Sequence, residues 1–310
     1  FRDLRYAKYD ADGNDISDTY AKQSDISDTY ARRSNISNPN LIMNPDFKIN
    51  QRGKTSYTIP QSTSVSFTYT FDRWRTDNSN AAAITIASRS VGGITISGIG
   101  ANISQQFEEG IPSGAVTLTI KSGTTSSTTE VSHTVTVPSS LGSSWSGSFG
   151  TYGNLNAMLT YSQDVGFTLS INSNMSDSSY IDWVKLEPGT VATKFVPPDP
   201  ATELLKCQRY YIAFNENAPF SGWTFSATSV RITIPVPTAL RESPTLVFPN
   251  GGSIGSTRIY SNGGTLTPSA CSVQQAENNQ IVLSLTVSGA TANQTAAWRS
   301  IRKAALDAEI

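Results

Sequence analysis

Cysteine and histidine are almost absent from this sequence, and their scarcity excludes several kinds of site. The 310 residues include two cysteines, Cys207 and Cys271, and one histidine, His133. Two cysteines are too few for a disulfide scaffold, and they lack the paired spacing of a zinc site. We therefore expect two buried or half-buried free thiols in a protein made in a reducing compartment.

Blocks of one charge and long apolar runs are also missing. The net charge is −1 at pH 7 and no basic or acidic block is present, so bulk electrostatics favour neither nucleic acid nor an anionic membrane. No apolar run approaches the ~18 residues of a membrane span, and no signal peptide is visible. We expect no nucleic-acid partner and no membrane insertion.

Serine, threonine and short alternating apolar runs are abundant instead. Ser and Thr make up about a quarter of the residues and 37% are hydrophobic, a balance that favours β-rich domains over a helical enzyme core. The clearest strand-like runs are separated by Gly, Ser and Asn, as in an antiparallel sandwich or jelly roll: 65–75, 82–88, 115–121, 131–137, 165–171, 180–186, 229–236 and 280–287.

The polar, proline-rich stretch "VPPDP" at 196–200 predicts a domain boundary, because proline fixes φ and removes a donor. After it, "TELLKCQRYYIAF" at 202–214 is expected to begin as a helical turn and continue into a strand. The final residues fit a helix or a closing strand, and we favour the strand.

A ten-residue unit is repeated almost unchanged in "DISDTYAKQSDISDTYARRS" at 15–34. On a helix, this period rotates successive isoleucines by roughly 80° and forms no face. On a strand, the even period keeps Ile16, Tyr20, Ile26 and Tyr30 on one side. So thin a stripe cannot bury itself within one chain, so we expect an extended stem packed against other copies. The alternative is a disordered polar leader.

Three stretches of the sequence carry a family resemblance. The opening "LIMNPDFKINQRG" with "FDRW" (41–75), the closing "YIDWVKLEPGTVATKFVPPDPATELLKCQRYY" (180–211) and the final "LDAEI" resemble bacteriophage tail-fibre and receptor-binding proteins. The opening and closing phrases are also similar to those that bracket jelly-roll carbohydrate-binding modules, in which the first and last strands pair. The resemblance implies a homotrimer in the tail fibre of a virion, made in the host cytoplasm.

Together, pattern and resemblance predict an all-β chain in three parts. Residues 1–37 form an extended oligomeric stem, 38–199 a jelly-roll β-sandwich, and 200–310 a distal β-rich tip domain. The resemblance implies that the N-terminal end contacts other tail or baseplate proteins and that the β-domains meet a host cell-surface polysaccharide.

Catalysis is not expected. His133 shares strand parity with Val131 and Val135, which is typical of a structural histidine, and no G-x-S-x-G elbow is present. Paired carboxylates could cleave a glycan, and the candidates by residue type are Asp164, Asp177, Asp182 and Glu187; for Asp182 we favour a backbone or arginine partner near the end of the sandwich.

No cofactor and no metal site is predicted. "YDADGNDISD" at 9–18 has the oxygen-rich character of a calcium loop but lacks the distal bidentate Glu, which favours a plain Asp/Gly/Asn turn.

Exposed aromatic side chains among polar neighbours are the residues expected to bind a sugar, because aromatic rings stack on pyranose faces. Trp145 and Tyr152 lie in "SSWSGSFGTYGNLN" and Trp223 in "PFSGWTF", stretches that we interpret as loops, so these three are the candidate glycan contacts. Trp74 and Trp183 lie in strand patterns and are expected in the core. The alternative for each candidate is a loop aromatic that packs over its own domain.

Three functions fit these observations. The favoured one is a non-catalytic receptor-binding fibre that attaches a virion to host surface glycans. A collar or connector fibre without a receptor, which would show a flat apolar docking patch, is the first alternative. A secreted carbohydrate-binding module is the second, disfavoured by the missing signal peptide.

Overall fold

The architecture comes from a computed structural model that describes residues 39–60, 67–77, 83–98, 100–124, 127–173, 179–249, 251–277 and 279–309. The expected stem at 1–37 and the Asp/Gly/Asn segment at 9–18 lie outside these residues. In the part that is described, strands form antiparallel sheets and are joined by one α-helix and a 3₁₀ turn at Ile254–Ser256. The all-β expectation is confirmed.

Two six-stranded sheets form the first half, which we call the sandwich. In spatial order, the first sheet contains β1 (Ser56–Ile59), β4 (Ile84–Ser88), β5 (Ile94–Ser97), β12 (Ser179–Pro188), β7 (Gly114–Thr124) and β8 (Ser127–Val137). The second contains β2 (Phe67–Tyr69), β3 (Arg75–Asp77), β6 (Asn102–Gln106), β11 (Gly166–Ser173), β10 (Leu155–Ser162) and β9 (Ser144–Tyr152).

One apolar core joins the inner faces of these two sheets. β11 shows how the sequence produces it: Phe167, Leu169 and Ile171 are buried and alternate with more exposed polar residues. A strand places successive side chains on opposite faces, so this alternation buries one face. Each fully buried aliphatic side chain stabilises the fold by ~1.5–3 kcal/mol. Trp74 is fully buried in the same core, as predicted.

The opening phrase of the sandwich runs beside its closing strand. The Leu41 amide donates to the Leu186 carbonyl at 2.9 Å, and the Val184 amide donates to the Pro45 carbonyl at 2.9 Å. The Asn40 side chain adds bonds to the Val184 carbonyl and from the Leu186 amide. The opening and closing phrases of the family resemblance are therefore adjacent in space.

A capped helix follows the proline-rich stretch. α1 (Pro200–Gln208) has Pro200 in its first turn, and the Asp199 carboxylate accepts from the Thr202 amide at 2.8 Å. Both features favour the start of a helix. The N–H that proline lacks would have no partner within the helix, and the Asp199 carboxylate accepts a hydrogen bond from one of the other free N–H groups of the first turn. β13 (Tyr211–Phe214) begins three residues after α1 ends. The predicted helical start and strand continuation are both confirmed.

The residues after α1 form a second pair of sheets, which we call the C-terminal unit. A three-stranded sheet contains β13, β22 (Ala304–Asp307) and β16 (Thr245–Val247). A seven-stranded sheet contains β18 (Gly264–Leu266), β17 (Thr257–Ser261), β21 (Thr295–Ser300), β14 (Pro219–Ser226), β15 (Ser229–Pro235), β20 (Gln280–Thr286) and β19 (Ala270–Glu277). The chain ends in strands, as favoured, and Trp298 is buried between the sheets.

A charge cluster connects the sandwich to the C-terminal unit, and four of its five side chains are buried, the exception being Asp307. We call it the joint: Arg52, Asp72, Arg73, Asp307 and Glu309. Arg52 Nη1 lies 3.2 Å from Asp72 Oδ1, and its Nη2 lies 3.3 Å from Glu309 Oε1 and 3.9 Å from Asp307 Oδ2. Arg73 Nη1 lies 3.6 Å from Glu309 Oε2. Two guanidinium groups thus share three carboxylates across the two halves.

Tyrosine rings and amides surround these charges. The Arg52 guanidinium lies 3.9 Å from the centre of the Tyr211 ring, and the Arg73 guanidinium lies 3.5 Å from that of Tyr210. On the sandwich side, the Asn44 side chain donates to the Asp72 carbonyl at 2.9 Å. The phrases "NPDFKINQRG", "FDRW", "CQRYY" and "LDAEI" therefore supply the residues of this connection.

Candidate functional site

Trp223 is exposed, but it lies on a strand rather than in the expected loop. It belongs to β14, the central strand of the seven-stranded sheet, where it is 40% exposed. Its cross-strand partners are Arg231 on β15 and Thr295 on β21. Directly opposed residues share one face of a sheet, so all three side chains lie on the outer side.

Phe225 stands next to Trp223 on the same side of β14. The pairing of β14 with β15 shifts between Thr224 and Ser226, so Phe225 is the extra residue of a β-bulge. A bulge bends a strand and re-aims its side chains, and Phe225 is 51% exposed. The Arg231 guanidinium lies 3.9 Å from the centre of its ring. Trp223, Phe225 and Arg231 therefore form one exposed aromatic–cationic group.

The outer side of the sheet continues with a second pair of the same type. Tyr260 on β17 is exposed, and its cross-strand partner is Ala297, two residues from Thr295 on β21. The Arg299 guanidinium lies 5.6 Å from the Tyr260 ring centre. We call Trp223, Phe225, Arg231, Tyr260 and Arg299 the aromatic face. Within the described part of the chain, neither of its arginines forms an ion pair with a carboxylate.

On the inner side of β14, buried hydrogen bonds fix the strand that carries Trp223 and Phe225 of the aromatic face. The Thr224 side chain is buried, and its hydroxyl donates to the Thr291 carbonyl and accepts from the Gln294 amide at 2.8 Å. The Thr224 amide donates to the Gln294 carbonyl at 2.8 Å. Buried hydrogen bonds of this kind each stabilise by ~0.5–1.5 kcal/mol, so the exposed rings project from a well-fixed strand.

The loop assignment of Trp145 and Tyr152 is wrong, because both lie on β9. Trp145 is half-buried against the sandwich core, with its ring 6.4 Å from Phe167 and packed over Gly147. Tyr152 is fully buried; its hydroxyl donates to the Leu118 carbonyl at 3.0 Å, and burial raises the pKa of its phenol. Tyr152 is a core residue that a ligand on the surface cannot reach.

The candidate residues therefore do not come together. Trp145 and Tyr152 belong to the sandwich, whereas Trp223 belongs to the C-terminal unit. Phe225, Tyr260 and the two arginines of the face were not found from the sequence. The i, i+2 spacing of Trp223 and Phe225 in "PFSGWTFS" was the available signal, because that spacing puts two side chains on one side of a strand.

Of the residues weighed for catalysis, His133 and Asp182 contact neighbouring side chains on the sandwich strands. His133 is on the same side of β8 as Val131 and Val135, as expected, with its ring 5.0 Å from that of Tyr152. Asp182 pairs with Arg89, which confirms the arginine partner, and lies 3.4 Å from Lys121. Asp164 is exposed in the turn between β10 and β11, and Asp177 is outside the described residues.

Glu187, Trp183 and the two cysteines were also considered from the sequence, with mixed outcomes. Glu187 is buried with its Oε2 3.2 Å from Lys185 Nζ, so its charge is compensated. Trp183 was expected in the core, but it is half-buried and stacks on Phe195 with 4.4 Å between ring centres. Both cysteines are free, Cys207 buried and Cys271 half-buried, as predicted.

Across the described ranges, no three His, Cys, Asp or Glu side chains are placed to hold a metal ion together. The described helix is too short and too polar to cross a bilayer. No protein-family model matches the chain, and no curated protein matches it significantly.

Proposed function

We propose that this chain is a non-catalytic receptor-binding protein of a bacteriophage tail fibre and that it attaches the virion to host surface glycans through the aromatic face. The resemblance of its opening, closing and terminal phrases supports the fibre assignment, and the β-rich architecture is compatible with it. The observation that carries the binding proposal is the position of Trp223 and Phe225. Both rings are exposed, on a central strand, beside an arginine without a carboxylate partner in the described structure.

The chemistry of the aromatic face suits a sugar polymer. Exposed indole and phenyl rings offer apolar faces to the C–H side of a pyranose, and guanidinium groups donate to hydroxyl or carboxylate oxygens. The outer side of β14 and β21 also presents Ser221 and Thr295, whose hydroxyls can donate and accept. An open sheet surface, rather than a closed pocket, accommodates an internal segment of a long polysaccharide.

The proposed mechanism is multivalent attachment. Three copies joined by the stem at 1–37 would present three weak sites together, and linked sites gain avidity of roughly 10²–10⁴ without a new contact. In this proposal the sandwich is a jelly roll similar to carbohydrate-binding modules, supported by the adjacent opening and closing phrases. The N-terminal end would contact other tail or baseplate proteins.

An array of bacterial lipopolysaccharides and capsular polysaccharides tests the binding proposal. Trp223→Ala and Phe225→Ala should each weaken binding about tenfold or more, because an exposed aromatic at a binding hot spot contributes ~2 kcal/mol and 1.4 kcal/mol is tenfold. Met158→Ala, which truncates an exposed side chain on β10 of the sandwich, is the matched control. Binding by the wild type that both aromatic variants retain in full would refute the role of the face.

A connector fibre without a receptor is the competing function, because exposed aromatic side chains can also dock a protein. Light scattering on the full chain and on a chain that begins at Asn38 tests the stem. A trimer that dissociates without residues 1–37 would support the fibre. If Trp223→Ala dissociates the trimer, then the aromatic face is a subunit contact and the glycan proposal fails. A full-length monomer would instead favour a secreted binding module.

A further inference from the structure

A cleft of about 370 Å³ lies where the sandwich meets the C-terminal unit. Tyr57 on β1 and Phe67 and Tyr69 on β2 form one side, and Tyr211 on β13 and Phe248 after β16 form the other. The cleft shares no residue with the aromatic face. Five aromatic rings around one cleft suit a ligand that has apolar faces.

Two buried hydroxyl groups in the walls of this cleft are unsatisfied. Tyr57 is 7% exposed and Tyr211 is 1% exposed, and neither hydroxyl has a hydrogen-bond partner among the described residues. A buried polar group without a partner is unfavourable, and most are satisfied in folded proteins. One face of the Tyr211 ring already contacts the Arg52 guanidinium, which lies 3.9 Å from the ring centre. A ligand that brings hydroxyl groups would satisfy the two phenols.

The charges at the cleft select a neutral ligand. Asp307 lines it with a side chain that is 28% exposed; one of its oxygens accepts from the Glu309 amide at 3.0 Å, and the other lies 3.9 Å from Arg52. At 3.9 Å the Asp307 oxygen is too far from Arg52 for a hydrogen bond, so it can still accept hydrogen bonds from sugar hydroxyl groups. The positive charge of Arg52 is already offset by the carboxylates of the joint. Lys54 is the other charged residue of the lining, and its exposed ammonium lies 5.9 Å from the centre of the Tyr57 ring. Because Asp307 and Lys54 carry opposite charges, the lining has no net charge that would favour an anion.

We propose that this cleft binds a single neutral pyranose unit, as a second carbohydrate site separate from the aromatic face. Arg75 lies over one face of the Phe67 ring, 3.9 Å from its centre, and the other face of this exposed ring stacks on the sugar. Asp307 accepts from the hydroxyl groups of the sugar, and Tyr57 and Tyr211 complete the polar contacts. Because its two walls come from the sandwich and the C-terminal unit, a bound sugar also bridges the two. This inference does not depend on the glycan role proposed for Trp223.

Isothermal titration of the full chain with neutral hexoses, N-acetylhexosamines and hexuronic acids tests the proposal. Tyr57→Phe removes one unpartnered hydroxyl, so Tm should stay the same or rise while Kd for the neutral sugar increases about threefold to tenfold. Phe67→Ala should weaken binding about tenfold without unfolding the protein, because the ring is already exposed. Tyr161→Phe, on β10 away from the cleft, is the matched control and should leave Kd unchanged.

The binding results either support the cleft site or overturn it. The cleft site is supported if Tyr57→Phe and Phe67→Ala weaken neutral-sugar binding and Trp223→Ala leaves it intact. This holds whatever the array shows for polysaccharides. No neutral sugar bound at millimolar concentration, or binding that both cleft variants retain in full, overturns it. Binding of hexuronic acids alone would also overturn it, because the charge argument requires a neutral ligand.

Discussion

The buried Glu309 carboxyl makes a pH-dependent contribution to stability that can be isolated by one substitution. Burial raises its pKa from the ordinary 4.5 to about 7, and Arg52 and Arg73 oppose the shift only in part. Between these two pH values the folded protein keeps the proton that the unfolded chain has released. The stabilisation is therefore complete below about pH 4.5 and is lost as the pH rises through 7.

The size of the effect follows from the shift. A difference of about 2.5 pKa units corresponds to ~3 kcal/mol, at 1.36 kcal/mol per unit. Glu309→Gln keeps the shape of the protonated carboxyl but cannot titrate. We expect the free energy of unfolding of the wild type, minus that of Glu309→Gln, to fall by ~3 kcal/mol between about pH 4 and pH 8.

Urea unfolding followed by tryptophan fluorescence, at a series of pH values, measures this difference. Glu242→Gln changes an exposed glutamate in the same unit and is the control; its difference from the wild type should stay within ~0.5 kcal/mol throughout. If the difference between the wild type and Glu309→Gln stays constant, or grows with pH, the reasoning is refuted. Such a result would mean that the two guanidinium groups keep the carboxylate ionised in the folded protein.

Three other perturbations have outcomes that follow from burial. Trp74→Ala should lower the free energy of unfolding by ~3–5 kcal/mol in urea titration, because it empties the centre of the sandwich core and removes the indole bond to the Asn44 carbonyl. Lys185→Met should cost ~3–5 kcal/mol by leaving the Glu187 carboxylate buried without its cation. Adding Glu187→Gln, which removes that charge and keeps an acceptor for the Thr193 amide, should recover part of the loss; equal costs for the single and double variants would contradict this. Burial raises the pKa of both thiols, that of Cys271 to about 11. A chromogenic disulfide reagent should therefore modify Cys271 slowly and Cys207 only after unfolding. Rapid labelling of Cys207 in the native protein would contradict its burial.

Strand identity was predictable where one face of a strand is apolar. The alternation of Val230, Ile232 and Ile234 in β15, and the similar run in β20, is enough to locate both strands from the amino-acid pattern alone. The helix after "VPPDP" was also predictable, because Pro200 and the Asp199 cap are local signals. Side-chain period and capping act within a few residues, so the sequence shows them directly.

The composition of β9 misled the sequence interpretation. "SSWSGSFGTYG" has the Ser and Gly content of a loop, yet most of it lies within a nine-residue strand. A Cβ on Gly147 would lie 2.6 Å from a ring atom of Trp145, so glycine there makes room for an indole rather than a turn. Glycine within a strand commonly marks close approach of this kind, and a single sequence does not distinguish it from a turn glycine.

The joint could not be predicted because its members are far apart along the chain. Arg52 and Glu309 are separated by 257 residues, and neither belongs to an alternating pattern. A buried ion pair leaves no periodic signal, since each charged residue alone is typical of an exposed position. The same applies to the cleft, whose aromatic walls come from separate segments on the two sides of the joint.

The joint also determines how a pull on the molecule would be carried. The covalent connection from β12 to α1 links the sandwich to the C-terminal unit at one place, and Arg52 and Arg73 hold the last described residues of the chain at another. A force applied across the two halves therefore loads the peptide segment and, in parallel, the contacts of Arg52 and Arg73 with Glu309, which are ionic above about pH 7, where Glu309 is deprotonated. Bending about the proline-rich stretch would have to break the contacts of Glu309 with Arg52 and Arg73, so these contacts resist such a movement.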